Sequence, residues 1–229
     1  MNIRLTLLAA SAVLAATSAS AQVVYDNLSA PSALSAATSS TDLNTIYGDS
    51  MTLTQGGILN GLGFTVFNSS TGNTLPVLTA VIRLSFYNNT TPYTTGDLQS
   101  VLPLLGSIDF NVNFGTGLNA GFFTTVSGTG LATANINLTQ NLFITQQVIS
   151  STGGSTRLGV VSFTQDVVGT GSAASWYRQS TSPAGEGLFA FAPPSSNNLG
   201  YRVEVVPEPA TMTLLALGAL AARRRRKNS

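Results

Sequence analysis

Ile108-Asp109-Phe110-Asn111-Val112-Asn113-Phe114 alternates apolar and polar side chains at every position. Successive side chains of a β-strand point to opposite faces of its sheet, so this segment places four large apolar groups on one face and three polar groups on the other. Antiparallel sheets commonly bury one face and expose the other to water. The segment therefore predicts a half-buried strand of an antiparallel sheet.

The same alternation recurs along the chain on both sides of this segment. It is clearest at two places: Ile82, Leu84 and Phe86 with Arg83, Ser85 and Tyr87, and Leu199, Tyr201, Val203 and Val205 with Gly200, Arg202 and Glu204. Weaker strand candidates, separated by turn-forming residues, cover 51–54, 58–67, 121–126, 134–138, 142–149, 158–163 and 188–191. No part of the body has a sustained helical period, and residues 32–40, although partly helical in composition, carry many hydroxyl groups. These patterns predict an all-β fold, an antiparallel β-sandwich or jelly-roll-like single domain.

The charge of the central region argues against one class of partner. Residues 22–205 contain four arginines, no lysine and eight acidic residues, which leaves a net charge of −4. A surface with so few cations cannot neutralise many phosphates, so we expect no nucleic-acid partner.

The chain contains no cysteine and no histidine. Its stability therefore cannot depend on disulfides, and it cannot form a Ser-His-Asp or Cys-His catalytic pair or the usual zinc sites. A pair of carboxylates, as in glycoside hydrolases, is the remaining catalytic option, with Asp109 and Glu186 as candidates. Nothing in their spacing requires the two residues to meet. We expect no metal, no cofactor and no enzymatic activity.

The C-terminal residues form three consecutive parts with different physical properties. Pro207 and Pro209 restrict the backbone around Glu208 toward extended conformations. Residues 210–222 carry no charge. As a helix they would be about 20 Å long, shorter than the roughly 30 Å hydrocarbon core of a bilayer. Four arginines and a lysine follow, and such a cluster holds a segment on the cytoplasmic side of a membrane.

Together these parts resemble the PEP-CTERM sorting domain of bacterial exported proteins. The resemblance implies that an exosortase, a membrane-embedded enzyme like the cysteine transpeptidases, recognises and cuts the chain near Pro207, Glu208 and Pro209. It also implies a short hydrophobic helix that anchors the chain in the membrane until the body is released or transferred outside the cell. The hydrophobic residues of this segment and the stop-transfer charges are Thr211, Met212, Leu214, Leu215, Leu217 and Leu220, followed by Arg223, Arg224, Arg225, Arg226 and Lys227.

The N-terminal residues are typical of a secretory signal peptide. A positive Arg4 precedes the mostly apolar residues 5–16, and Ala19-Ser20-Ala21 fits the small-residue cleavage pattern. We expect the Sec translocon and signal peptidase as partners and a mature chain that begins near Gln22. The predicted organisation is a signal peptide at 1–21, a β-sandwich at 22–205 and a sorting signal at 206–229.

The body is also similar to the β-sandwich regions of other proteins with this tag. The corresponding segments are Tyr25-Asp26-Asn27, Ile46-Tyr47-Gly48-Asp49, Arg83-Leu84-Ser85-Phe86-Tyr87-Asn88 and Leu199-Gly200-Tyr201-Arg202. This similarity bears on the fold and not on activity, because one sandwich architecture serves many functions.

Two groups of residues are candidate binding sites in the body. Trp176 and Tyr177 follow a run of small residues and could stack on a sugar if exposed, with Tyr87 and Tyr93 extending the surface; burial of the tryptophan in the core is the alternative. The oxygen-bearing side chains near the mature N-terminus suit calcium but equally suit turns, since they lack EF-hand spacing. They are Asp26, Asp42, Asn44 and Asp49.

The sequence leaves two hypotheses for function and a weaker third. The first is an exported protein of the cell surface or extracellular matrix, processed at its C-terminal motif, with a structural or interaction role in surface or exopolysaccharide assembly. The second is a lectin-like carbohydrate-binding module, with calcium as an optional helper. A glycoside hydrolase is the third.

Overall fold

The computed structural model describes residues 20–29, 34–39, 45–68, 76–89, 102–153, 158–171, 175–179, 187–190 and 198–207. Within these ranges, the side chains of 34–39, 175–179 and 187–190 are not described. The predicted signal peptide up to residue 19 and the predicted hydrophobic helix and basic cluster lie outside the described residues. Among those residues, no helix is long and apolar enough to cross a membrane.

The described chain folds into two antiparallel sheets. Sheet A contains eight strands: β1 (Gln22–Asp26), β2 (Leu34–Ser39), β4 (Gly57–Asn68), β7 (Phe123–Thr129), β8 (Asn137–Leu138), β10 (Leu158–Phe163), β14 (Asn198–Leu199) and β15 (Tyr201–Val206). Sheet B contains seven: β3 (Ile46–Thr52), β5 (Val77–Asn88), β6 (Leu104–Leu118), β9 (Asn141–Gly153), β11 (Thr170–Gly171), β12 (Ser175–Gln179) and β13 (Gly187–Ala190). One 3₁₀ turn, Leu131–Ala134, links β7 to β8. The predicted all-β class with antiparallel sheets is confirmed.

The strand order shows that the chain crosses repeatedly between the sheets. Sheet A runs β1-β15-β4-β10-β14, with β2 paired to β10 and with β7 and β8 paired to β4. Sheet B runs β13-β12-β3-β9-β5-β6, with β11 paired to β3. The last strand, β15, thus lies between the first strand and β4. The β1–β15 pair joins the two ends of the body across nearly the whole sequence.

One core cluster fills the space between the sheets. Leu59 and Phe64 of sheet A and Ile82 and Ile144 of sheet B belong to it, each with 0% exposure. Each such side chain contributes about 1.5–3 kcal/mol on burial. The ring of Phe64 also packs edge-on against Phe110, with centroids 5.1 Å apart. The inward faces of the two sheets therefore form the sandwich that the alternating pattern predicts.

The strongest periodic segments fold as predicted. In β6, the apolar residues of 108–114 are partly buried against the core, whereas Asp109, Asn111 and Asn113 are exposed. Residues 158–163, one of the weaker candidates, also form a strand, β10, with the predicted bounds. Tyr201, Val203 and Val205 of β15 are each 0% exposed.

Three local predictions were wrong or incomplete. Residues 134–138 are not one strand, because Asn135 adopts a left-handed conformation with φ 52° and leaves only the two residues of β8. The segment 32–40, for which no strand was predicted, contains β2. The alternation predicts Tyr87 on a polar face, but it is buried at 4% exposure in a small cluster with Leu102 and Phe143. This cluster covers part of the outer face of sheet B, a tertiary contact that strand periodicity does not reveal.

Candidate functional site

A cleft opens between β6 and β7 at one end of the sandwich, next to the C-terminal part of β4. Among the described strands, β6 pairs only with β5 and β7 pairs only with β4. The cleft has a volume of about 510 Å³, within the range typical of small-ligand sites. Its lining residues are Val112, Asn113, Phe114, Gly117, Leu118, Asn119, Phe122, Phe123, Thr124, Thr125 and Val126.

The lining combines exposed aromatic rings with neutral polar groups. Phe122 and Phe123 are 64% and 41% exposed, which is unusual for large apolar side chains placed next to each other. The polar members of the lining, two asparagines and two threonines, carry no charge. The cleft therefore offers ring faces and uncharged hydrogen-bonding groups to a ligand.

The buried Asn68 at the end of β4 holds the turn that presents these rings. Its backbone N–H donates to the Phe122 carbonyl at 2.9 Å, and its backbone carbonyl accepts from the Gly121 N–H at 2.7 Å. Its side-chain Nδ2 donates to the Leu118 carbonyl at 2.8 Å. Asn68 is fully buried, with 0% exposure. Its hydrogen bonds hold the turn at Leu118 on one side and at Gly121 and Phe122 on the other.

Phe122 and Phe123 are not among the predicted site residues. They lie inside the strand candidate 121–126, in which one ring would face the core. The strand begins instead at Phe123, after a turn that includes Gly121 with φ 80°. Two consecutive aromatic residues after a glycine, which break the alternation, were the available signal.

The opposite end of the sandwich carries both ends of the described body. We call it the terminal end and define it by Gln22, Gln55, Gly57, Val206 and Pro207. Gln22 pairs with Val205 in the β1–β15 ladder, and Val206 pairs with Ile58 of β4. The Gln55 side-chain amide donates to the Gln22 side-chain oxygen at 2.7 Å. Pro207 follows the last residue of β15 directly.

The residues at this end match a known sorting signal. Residues 205–227 match the family model described as the PEP-CTERM protein-sorting motif. This chain carries a PEP-CTERM sorting motif. The motif indicates an exported protein that is targeted to an exosortase. Neither the curated proteins nor the solved structures gave a match to the chain.

Most residues assigned to the PEP-CTERM motif lie outside the described part of the structure. Of the three sorting residues only Pro207 is described, and it is partly exposed. Glu208, Pro209, the hydrophobic segment and the stop-transfer charges are not described. At the signal-peptide site, Ala21 is described and exposed, whereas Ala19 is not described.

The predicted aromatic surface is only partly described. Trp176 and Tyr177 lie in β12, which pairs with both β3 and β13, but their side chains are not described. Tyr93 is not described either. Tyr87 is buried, so the expectation that it extends an exposed surface is wrong. The exposed aromatic pair of the described structure is in the cleft, far from the PEP-CTERM motif.

The acidic residues near the mature N-terminus act as structural hydrogen-bond acceptors. Asp26 accepts from the backbone N–H groups of Leu28 and Ser29 at 2.9 and 3.1 Å, as a turn residue does. Asp49 is 2% exposed and accepts from the Leu199 N–H at 2.8 Å, which ties sheet B to sheet A. Asp42 and Asn44 lie outside the described residues. Among the described residues, no group of three or more His, Cys, Asp or Glu side chains could hold a metal ion.

A polar cluster around Tyr25 links the first strand to the last ones. The Tyr25 hydroxyl donates to Asp166 at 2.8 Å and accepts from Asn27 Nδ2 at 3.2 Å. Burial, with the negative charges of Asp166 and Asp49, raises the pKa of Tyr25 far above its usual value. Asn27 also accepts from the Tyr201 N–H at 2.8 Å, so the cluster fixes β1 against β15.

Only one of the two carboxylates considered for glycoside hydrolysis, Asp109, belongs to the described residues. Asp109 is exposed on β6, where Arg83 donates to both of its oxygens at 2.7 and 2.8 Å. The hydrogen bond from Arg83 holds the pKa of Asp109 below its usual value, so the group is ionised at neutral pH. Glu186 lies outside the described residues. The arrangement makes Asp109 part of a surface ion pair, and it does not line the cleft.

Proposed function

We propose that this protein is released to the cell surface or the extracellular matrix by exosortase processing, and that it has a structural or interaction role in surface or exopolysaccharide assembly. The observation that carries this proposal is the placement of two features at opposite ends of one sandwich. The sorting motif follows β15 at the terminal end, whereas the cleft lies at the other end of β4. From Gly57 to Phe67 this strand is about 33 Å long. A body attached or delivered through its terminal end would keep the cleft free for a partner.

The chemistry of the cleft favours a neutral carbohydrate as that partner, in the manner of a lectin-like module. Sugar rings present apolar faces that pack on aromatic rings, and their hydroxyl groups bond to amide and hydroxyl side chains. Phe122 and Phe123 supply the first kind of contact, and Asn113, Asn119 and Thr124 supply the second. The lack of charge in the lining argues against anionic ligands.

We further propose that the protein is not an enzyme. The cleft lining contains no ionisable side chain, and the whole chain lacks cysteine and histidine. General acid–base catalysis needs a titratable group within hydrogen-bond reach of the reacting atoms. A neutral cleft of this composition can bind and orient a ligand but cannot exchange protons with it.

Binding of the purified body to neutral exopolysaccharide from the producing cells tests the proposal. Phe123→Ala should weaken binding by about tenfold, or about 1.4 kcal/mol, the size expected for loss of one aromatic stacking contact. Val167→Ala, which removes an exposed side chain outside the cleft, is the matched control. Binding should change little with salt or with a calcium chelator, because the lining has no charged group. Equal binding by the wild type and the Phe123→Ala variant would refute the assignment of the cleft.

A further inference from the structure

The two predicted cleavage sites lie next to each other on the folded body. Gln22, the expected first residue of the mature chain, pairs with Val205, two residues before the PEP-CTERM prolines begin. Paired strands are about 4.8 Å apart. The side chains of Gln22 and Gln55 are hydrogen-bonded at the same place. Both tags therefore leave the sandwich from its terminal end.

The strand before the motif is locked into the sheet. β15 pairs with β1 on one side as far as Val205 and with β4 on the other side as far as Val206. Val205 is 0% exposed, and the backbone of Val206 lies directly against Gly57. An enzyme that needed to bind residues upstream of Pro207 would have to pull out an interior strand. In the folded body, the enzyme can therefore bind the chain as an extended peptide only from Pro207 onward.

Very little chain separates this locked strand from the hydrophobic segment. From Val206 to Ala210 the fully extended chain reaches at most about 14 Å. The cut falls within Pro207, Glu208 and Pro209 while residues 210–222 are in the bilayer. Because this length of chain is too short to separate the enzyme from the folded body, the enzyme has to contact the terminal end of the sandwich.

We propose that the terminal end is a docking surface for the membrane-embedded exosortase, so that the enzyme binds the folded body as well as the motif. This inference rests on the proposed processing of the chain. The described side chains of the terminal end carry amide groups and no charge. Removal of the signal peptide adds one positive charge there, the α-amino group of Gln22. The enzyme surface that this end fits therefore forms hydrogen bonds and accepts from the α-amino group. A carboxylate placed at this end would compete with the enzyme for that group and would be desolvated on docking.

Gln55 is the position that tests this surface, because it belongs to neither tag. Gln55→Glu adds one negative charge at the terminal end, and Gln55→Ser removes the amide without adding charge. Ser150→Glu adds the same charge at an exposed position of β9 away from the terminal end. Processing of the full-length chain is followed by pulse labelling in cells that contain the enzyme, and the melting temperature of each purified body checks folding.

We expect Gln55→Glu to slow processing by about tenfold, since the new carboxylate competes with the enzyme for the Gln22 α-amino group and has to be desolvated in the interface. Gln55→Ser should slow processing less, and Ser150→Glu should be processed like the wild type. An eight-residue Gly-Ser spacer between Val206 and Pro207 should restore fast processing of the Gln55→Glu variant, because the enzyme can then act away from the body. Equal processing of Gln55→Glu and Ser150→Glu would overturn the proposal.

A separate variant distinguishes this result from a failure of the sorting assignment. Glu208→Gln, with both prolines of the motif changed to alanine, should block processing with or without the spacer. If that variant were processed normally, the sorting function itself would be wrong. If it were blocked while Gln55→Glu had no effect, only the docking surface would be wrong.

Discussion

Tyr25 and Tyr201 are two buried tyrosines of neighbouring strands whose hydroxyl groups have different surroundings. The Tyr25 hydroxyl bonds to both Asp166 and Asn27. The Tyr201 hydroxyl is buried and has no hydrogen-bond partner among the described residues. Burial raises the pKa of Tyr201, with the charge of Asp49 as the second cause, so the group stays neutral. The two residues look alike in the sequence, but the different surroundings of their hydroxyl groups lead us to expect different contributions to stability.

We predict opposite outcomes for the same substitution at these two positions. Tyr25→Phe should lower the free energy of unfolding by about 1–3 kcal/mol, because it leaves buried partners of the hydroxyl unsatisfied. Tyr201→Phe should change it by less than about 0.5 kcal/mol or raise it, since no hydrogen bond is lost. Urea unfolding of both variants measures the difference. Equal losses would mean that the Tyr201 hydroxyl is satisfied by water.

At the scale of single elements, the junction of β4 and β15 depends on one glycine. Gly57 has φ 154°, and a Cβ atom at this position would lie 2.6 Å from the Val206 carbonyl oxygen. Any side chain would push the end of β15 away from β4. Gly115 in β6 also has a positive φ of 64°, but a Cβ atom there would meet nothing within 4 Å.

This contrast predicts a large cost for Gly57→Ala and a small one for Gly115→Ala. Backbone strain and the collision with Val206 should together cost roughly 2–4 kcal/mol at Gly57. The left-handed conformation alone should cost about 1 kcal/mol at Gly115. Thermal unfolding of the two variants provides the comparison. Comparable melting temperatures would show that the end of β15 can shift without loss.

At the same scale, sequence periodicity predicted the interior strands better than the peripheral ones. β10 is buried along its whole length and β15 on one whole face, so apolar residues dominate β10 and alternate regularly in β15. β8 and β11 have two residues each, which is too short for any period. Their pairing with β4 and β3 is decided by neighbours that lie far away in the sequence.

For the whole molecule, the bounds of the sandwich coincide with the bounds predicted for the two tags. β1 begins at Gln22 and β15 ends at Val206. Cuts after Ala21 and within the PEP-CTERM motif would therefore remove both tags and leave every strand of both sheets intact. A cut a few residues further inside would remove Val205, a core residue with 0% exposure.

We predict that the intact mass of the extracellular protein corresponds to a chain from Gln22 to between Val206 and Pro209. A body of residues 22–207 should unfold at the same temperature as the full-length chain. A body of residues 22–200 should fail to fold, because β1 loses its partner strand and Tyr201, Val203 and Val205 leave the core. Recovery of extracellular peptides that end in Asn228-Ser229 would contradict removal of the tag.

The sequence by itself determined the β class and the sorting motif, because both depend on local order. Alternation along Ile108 to Phe114 needs only neighbouring residues, and the PEP-CTERM motif is a short stretch of consecutive parts. Only the tertiary structure decided that β15 lies between β1 and β4, that Tyr87 is buried and that Phe122 and Phe123 open into a cleft. These features arise from contacts between residues far apart in the chain. The packing of the whole core selects those contacts, so no single segment carries a periodic pattern that predicts them.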